Sequence, residues 1–180
     1  ERPDDRHHNL FESSEALIGR EADIEALNRL LDQHRLVTVV GSSGVGKTRL
    51  TQAVARQRVD RHADGAWWVD LAALRSTDEV APAAAKAAGL ALGGGDVDKM
   101  LALALRRRDT LLVLDNCEHL LDAVAALAVK LLESAPKLHL LATSLAPLKV
   151  PGEQVCRLEG LAVPPGPMSP PSTPMISSAA

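Results

Sequence analysis

Along the chain, short apolar runs alternate with stretches in which apolar residues recur every three or four positions, the pattern of buried strands interleaved with surface helices. Leu36-Val37-Thr38-Val39-Val40 is an apolar, β-branched run of strand length. Ala66-Trp67-Trp68-Val69-Asp70 follows the turn pair Asp64-Gly65 and predicts a second strand, with its two tryptophans on opposite faces. In Leu111-Leu112-Val113-Leu114-Asp115, four apolar residues end in a carboxylate, the form of a parallel strand buried on both faces. Leu138 to Ser144 predicts a fourth strand with a polar tip, and Val155 to Leu158 a short fifth after Pro151-Gly152.

Helical spacing fills the intervals. Ile24, Leu27, Leu30 and Leu31 predict a helix over 22–33, approached through Gly19, and Arg49 to Ala55 predicts another. Ser76-Thr77-Asp78-Glu79 has capping-box spacing. Because Pro82 lacks an N–H, a short turn should come first and the alanine-rich helix should begin near Pro82, ending at Gly89. After the flexible Gly93-Gly94-Gly95, a helix from Asp96 to about Arg107 would place Arg106-Arg107-Arg108 at its C-terminus, where the dipole favours basic residues. Leu120, Val124, Leu127 and Leu131 form one stripe on a helix that Ala135-Pro136 ends. The pattern divides the chain into a polar arm over 1–13, one domain over 14–163, and a Pro/Ser-rich tail over 164–180 that has no composition for a packed core.

Composition narrows the class. The 180 residues are 46% hydrophobic and 24% charged, enough for one domain with a real core. Aromatics are only 2%, so Ala, Leu and Val fill that core, and the net charge of −3 gives no footprint for direct nucleic-acid binding. Two cysteines, Cys117 and Cys156, make neither a disulfide framework nor a metal spacing. With no membrane-length apolar run and a polar start, a cytoplasmic location is expected. The chain begins at Glu1 rather than methionine, so it is read as processed or as part of something longer. His7 and His8 read as solvated residues of the arm, with metal ligation the alternative, and His139 reads as structural.

Candidate chemistry centres on Gly41-Ser42-Ser43-Gly44-Val45-Gly46-Lys47-Thr48, which fits G-x-x-x-x-G-K-[ST] at every fixed position between a predicted strand and helix. Glycines at 41, 44 and 46 permit turns that aim successive N–H groups at phosphate oxygens, and the helix N-terminus adds partial positive charge. Lys47 would reach the β- and γ-phosphates and the Thr48 hydroxyl would ligate Mg²⁺. Arg49, next in line, is grouped with the nucleotide-binding candidates. Asp115, at a strand tip, is the expected second Mg²⁺ residue and catalytic candidate, with a helix-cap role as the alternative. Asn116 stands where many ATPases carry an acidic base, which leaves Glu118 and His119 as weaker candidates for orienting water.

Taken in order, Ile18-Gly19-Arg20-Glu21, the loop 41–48, Trp68-Val69-Asp70-Leu71, Asp115-Asn116-Cys117-Glu118-His119, Leu141-Ala142-Thr143-Ser144 and Val150-Pro151-Gly152-Glu153 resemble the STAND-type signal-transduction ATPases. The likeness is to the NB-ARC-like module of bacterial transcriptional regulators of the LuxR and SARP kinds. It implies an α/β P-loop NTPase fold, a three-layer sandwich with a mostly parallel sheet of about five strands in the order 5-1-4-3-2. It also implies bound ATP or ADP with Mg²⁺ and use as a molecular switch. By the same resemblance Ile18, Gly19 and Arg20 belong to the segment over the adenine; taken alone they read as a helix N-terminus with solvated charges. Where such regulators read Thr-Ser-Arg-Glu-Pro-Leu, this chain has Thr143-Ser144-Leu145-Ala146-Pro147-Leu148, so the arginine expected at the γ-phosphate is replaced by Leu145.

The expected function is therefore an ATP/Mg²⁺-binding switch module of a regulator, with weak or absent hydrolysis and no direct contact with nucleic acid. Self-association and contact with other domains of a longer regulator are the expected protein partnerships. Family members continue into closing subdomains, sensor repeats and a DNA-binding domain, whereas this chain runs into its Pro/Ser tail, which implies a truncated or incomplete regulator. The alternatives are a P-loop enzyme such as a small-molecule kinase, or an inert remnant.

Overall fold

A computed structural model describes residues 8–11, 17–91, 93 and 95–160. Most of the polar arm, including His7, the tail from 164 and Gly94 lie outside the described residues.

Strands and helices alternate, except that two helices separate β2 from β3 and none separates the last two strands: α1 (Glu21–Gln33), β1 (Leu36–Val40), α2 (Lys47–Arg58), β2 (Ala66–Asp70), α3 (Val80–Ala87), α4 (Val97–Leu105), β3 (Thr110–Asp115), α5 (Leu121–Ser134), β4 (Leu138–Ser144) and β5 (Glu153–Arg157). All four strand pairings are parallel. The sheet order is β2-β3-β4-β1-β5, which is the expected 5-1-4-3-2 seen from the other edge. Every residue of β1 and of β3 is buried, because helices cover both faces of a parallel sheet.

The twofold periodicity of the strands sorts their side chains into two cores. Leu112 and Leu114 of β3 face α3, α4 and α5, whereas Leu111 and Val113 face α1 and α2. Trp67 and Trp68 separate in the same way: Trp67 packs against the first core and Trp68 is buried in the second. Leu27 and Leu31, one helical turn apart on α1, are fully enclosed.

Local chemistry explains the element boundaries. The Ser76 capping box forms, and a 3-10 turn over Thr77–Glu79 runs directly into α3 at Val80, with Pro82 in the first turn where an N–H has no helical acceptor. The Asp96 side chain caps α4 by accepting from the Lys99 N–H. α4 stops at Leu105, so Arg106, Arg107 and Arg108 follow the helix instead of forming its last turn. The fifth strand begins at Glu153, two residues before the apolar pattern starts, because backbone pairing with β1 selects its extent and not side-chain hydropathy.

Residues 8–10, which charge alone assigns to the arm, lie along the free edge of β2. His8 bridges to Ala66, and the Asn9 amide pairs with Trp68 from both sides: Nδ2 donates to the Trp68 carbonyl at 2.9 Å and Oδ1 accepts from its N–H at 2.6 Å. One side-chain amide thus satisfies two backbone groups that a sheet edge leaves open.

Candidate functional site

Because every strand is parallel, one end of the sheet collects all the strand tips, the place where open α/β sheets bind ligands. The loop Gly41 to Gly46 leaves β1 there, between the tip of β4 and the start of α2. The Gly41 N–H donates to the Ser144 carbonyl at 3.3 Å, anchoring the loop to β4. A Cβ on Gly41 would stand 2.6 Å from the Leu158 carbonyl oxygen, so no larger residue fits. Gly44 and Gly46 have φ of 76° and 99°, in the left-handed region, and Gly46 is the N-cap of α2.

Lys47 is buried and its ammonium folds back on the loop, donating to the carbonyls of Gly41 at 2.8 Å and Ser42 at 3.0 Å. These partners are neutral carbonyl oxygens, so a more negative oxygen can replace them at a gain in electrostatic energy. Arg20 reaches the same loop from the start of α1. Nearly enclosed, it donates to the Val45 carbonyl at 3.0 Å and pairs with Asp23 at 2.8 Å. Gly19, with φ of 77°, turns the chain into α1, and Ile18 is 82% exposed, an apolar side chain with nothing over it. Ser42, Ser43 and Gly44 are exposed to solvent, and Arg49 stands on the first turn of α2.

Opposite the loop, Thr48 and Asp115 meet. The Thr48 hydroxyl lies 3.1 Å from Oδ1 and 3.0 Å from Oδ2 of the carboxylate. Thr143 at the β4 tip donates its hydroxyl to Oδ1, and the Asn116 amide donates to Oδ2 at 3.2 Å. Burial holds the Asp115 carboxyl above its ordinary pKa; the Thr143 and Thr48 hydrogen bonds pull it back, and the neighbouring Asp70 charge adds to the rise. Two hard oxygen donors facing each other beside a glycine-rich loop at a helix N-terminus fit a phosphate-bound Mg²⁺.

Of the weaker candidates, Glu118 is half-buried and its Oε2 has no hydrogen-bond partner among the described residues. His119 is exposed and its Nε2 lies 3.2 Å from the Leu74 carbonyl, which directs it to the β2–α3 connection. Cys117 is fully buried, with burial pushing its thiol up to about 12, so it is an inert core residue. Leu145 is half-exposed just past the β4 tip, with no charge to offer. Sequence reasoning did not single out Thr143 or Asp70 as site residues. The signal for Asp70 was present: β2 and β3 both end apolar-Asp, and the two aspartates are register partners across the parallel pair.

Comparisons with known proteins identify the family and the fold. Residues 10–146 match the family model of the Novel STAND NTPase 1 family. A protein of Mycobacterium tuberculosis named "Putative HTH-type transcriptional regulator" is 45% identical over 139 residues, covering 76% of this chain and 15% of the relative. An uncharacterized protein of the same organism is 36% identical over 158 residues, covering 87% of this chain and 40% of its own length. The chain therefore spans a minor part of these relatives. Among solved structures, a STAND protein with a tetratricopeptide repeat sensor from Pyrococcus horikoshii aligns with a TM-score of 0.61 at 16% identity, covering 89% of this chain and 26% of that one. A chain of the Drosophila ORC bound to DNA gives 0.64 at 21% identity, covering 79% and 43%. These likenesses show a shared fold, a P-loop NTPase sheet with its helices. No helix among the described residues is long and apolar enough to cross a membrane. With the phosphate-loop geometry, the sheet order and the match over most of its length, the chain belongs to the Novel STAND NTPase 1 family.

Proposed function

We propose that this chain is the ATP-binding switch module of a bacterial transcriptional regulator, of the NB-ARC-like kind found in LuxR- and SARP-type proteins. The observation that carries it is the Thr48–Asp115 pair beside a lysine whose ammonium donates to loop carbonyls. Backbone N–H groups of the 41–48 loop, the α2 N-terminus and Lys47 would hold the phosphates. Thr48 and Asp115 would hold Mg²⁺, which when bound neutralises phosphate charge. Ile18 and Gly19 would cover the adenine, with Arg20 tying that segment to the loop through Val45, and Arg49 would lie alongside the phosphates. The relatives that are named as regulators support the placement in a larger signalling protein. Contact with DNA is assigned to other parts of that protein, the setting is the cytoplasm, and both cysteines are free thiols as that compartment requires.

Turnover is expected to be weak. Leu145 has no guanidinium to stabilise charge on a transferring phosphoryl group, and Asn116 is an amide where a carboxylate base would stand. Hydrolysis would fall to Glu118, whose Oε2 has no hydrogen-bond partner among the described residues. Equilibrium binding of ATP, ADP and GTP, with single-turnover hydrolysis of ATP, tests this assignment. Adenine nucleotides should bind in preference to GTP, and ATP and ADP should bind alike; Leu145→Arg should raise turnover only if the rest of the machinery is present, since such an arginine is worth about 10³-fold or more. Brisk hydrolysis by the unmodified chain, lost in Asp115→Ala, would contradict the weak-turnover assignment.

A further inference from the structure

Asp70 ends β2 in register with Asp115, and the residue that follows Asp115 joins the two. The Asn116 amide nitrogen donates to Asp70 Oδ1 at 3.1 Å and to Asp115 Oδ2 at 3.2 Å. An amide nitrogen carries two hydrogens, so these bonds use its whole donor capacity. The backbone is set for this arrangement. Asn116 has φ of 61°, and its N–H donates to the Thr143 hydroxyl at 3.0 Å, the same hydroxyl that donates to Asp115 Oδ1. Asp70 is anchored in turn, since its Oδ1 also accepts from the Ala72 N–H at 2.9 Å.

We propose that Asp70 is a positioning residue of the nucleotide site, which acts through the Asn116 amide to hold the Asp115 carboxylate facing Thr48. A carboxylate turns freely about its last torsion unless both oxygens are held. Thr143 holds Oδ1. Oδ2 is held by Thr48 and by Asn116, and Thr48 is itself assigned to the metal, which leaves Asn116 as the permanent restraint. Without Asp70 that amide has one free hydrogen and a broad torsional well, and its grip on Asp115 loosens. Groups that orient a ligand from behind in this way commonly change metal affinity by about 10–100-fold when removed. The inference rests on the assignment of Mg²⁺ to Thr48 and Asp115.

The test is the Mg²⁺ concentration that gives half of the ATP-dependent rise in melting temperature, read at fixed ATP. Asp70→Ala should raise that midpoint about tenfold or more, whereas ATP-dependent stabilisation in EDTA should be unchanged. Asp70→Asn keeps an Oδ1 acceptor for Asn116 and should recover most of the loss. Asn116→Gly, which keeps the left-handed backbone, should reproduce the Asp70→Ala effect, and the double variant should be no worse than either single one, as expected for residues acting in series. If Asp70→Ala did not fold, Asn116→Gly against the native chain, with Asp70→Asn as the conservative control, would decide the same point. An unchanged midpoint in Asp70→Ala or in Asn116→Gly, additive effects in the double variant, or an equal loss in EDTA would overturn the positioning role. A native chain that does not respond to ATP at any Mg²⁺ concentration would overturn the nucleotide assignment beneath it.

Discussion

The Thr48 hydroxyl, on the first turn of α2, lies 3.0 and 3.1 Å from the two oxygens of the Asp115 carboxylate at the tip of β3, 67 residues away in sequence. A carboxylate buried at a cost in desolvation beside an exposed hydroxyl points to a ligand that is worth the cost. The Asp115 carboxyl is held above its ordinary pKa chiefly by burial. Folding therefore favours its protonated form, and ionising it weakens the fold.

The first prediction follows from that sign. Stability contributed at Asp115 is present below the ordinary carboxylate pKa of 3.8 and declines as pH rises through the higher value reached in the fold. Asp115→Asn should remove this component, so the nucleotide-free variant should be at least as stable as the native chain at pH 7, while its Mg²⁺-dependent response to ATP is lost. Urea midpoints at pH 4 to 7, measured for both, check it; marked destabilisation of Asp115→Asn at pH 7 would show that the charged carboxylate supports the fold.

Two glycines of the loop should fail for different reasons. Gly41→Ala places a Cβ 2.6 Å from the Leu158 carbonyl, a backbone atom that cannot rotate away, at a cost of about 1–3 kcal/mol. It should also loosen the Leu158 N–H, which donates to the Val40 carbonyl at 2.8 Å. Gly44→Ala meets nothing within 4 Å, and its cost of about 1–2 kcal/mol comes from the left-handed backbone alone. Amide exchange at Leu158 separates them: faster in Gly41→Ala, unchanged in Gly44→Ala.

At the other end of the sheet, His139 on β4 stacks at a tilt against His62, with ring centroids 5.1 Å apart, and His62 Nδ1 lies 2.9 Å from Asp109. Burial, then the charge of His62, holds the His139 pKa below its ordinary 6.5. The unfolded chain therefore takes up this proton first, so stability present above about pH 6.5 should be lost as pH falls below it. His139→Gln should flatten the loss between pH 7 and pH 5 in a melting-temperature series; an equally steep loss in the variant would assign the acid sensitivity elsewhere.

Much of the fold was legible because strands and helices differ in period, and the chain obeys that difference from Ile24 to Ser144. The phosphate loop was legible because its glycines are demanded by backbone geometry at 41, 44 and 46. What stayed hidden depends on strands that are distant in sequence. The Asn9 clamp on Trp68 looks like one more polar residue in a charged arm, since nothing local says that β2 is an edge strand. Asp70 joins the site only when β2 lies beside β3, and Thr143 only when β4 lies on the other side. The start of β5 at Glu153 likewise follows from its place beside β1, where polar residues can pair as well as apolar ones. Glu153 has a second task that hydropathy does not show: its carboxylate accepts from the Leu148 and Lys149 N–H groups at 2.8 Å each, and holds Lys149 at φ of 60°.

The central claim is that this loop binds ATP with Mg²⁺, and the melting temperature with and without that ligand tests it most directly. A ligand of the folded state stabilises it by about 2.7 kcal/mol when its free concentration is a hundredfold above Kd. For a chain of this size that is a rise of roughly 5–11 °C. The native chain should show such a rise with ATP and Mg²⁺, and Lys47→Ala, which removes the ammonium now resting on Gly41 and Ser42, should lose most of it. An equal rise in Lys47→Ala, or no rise in the native chain at millimolar ATP, would contradict the account.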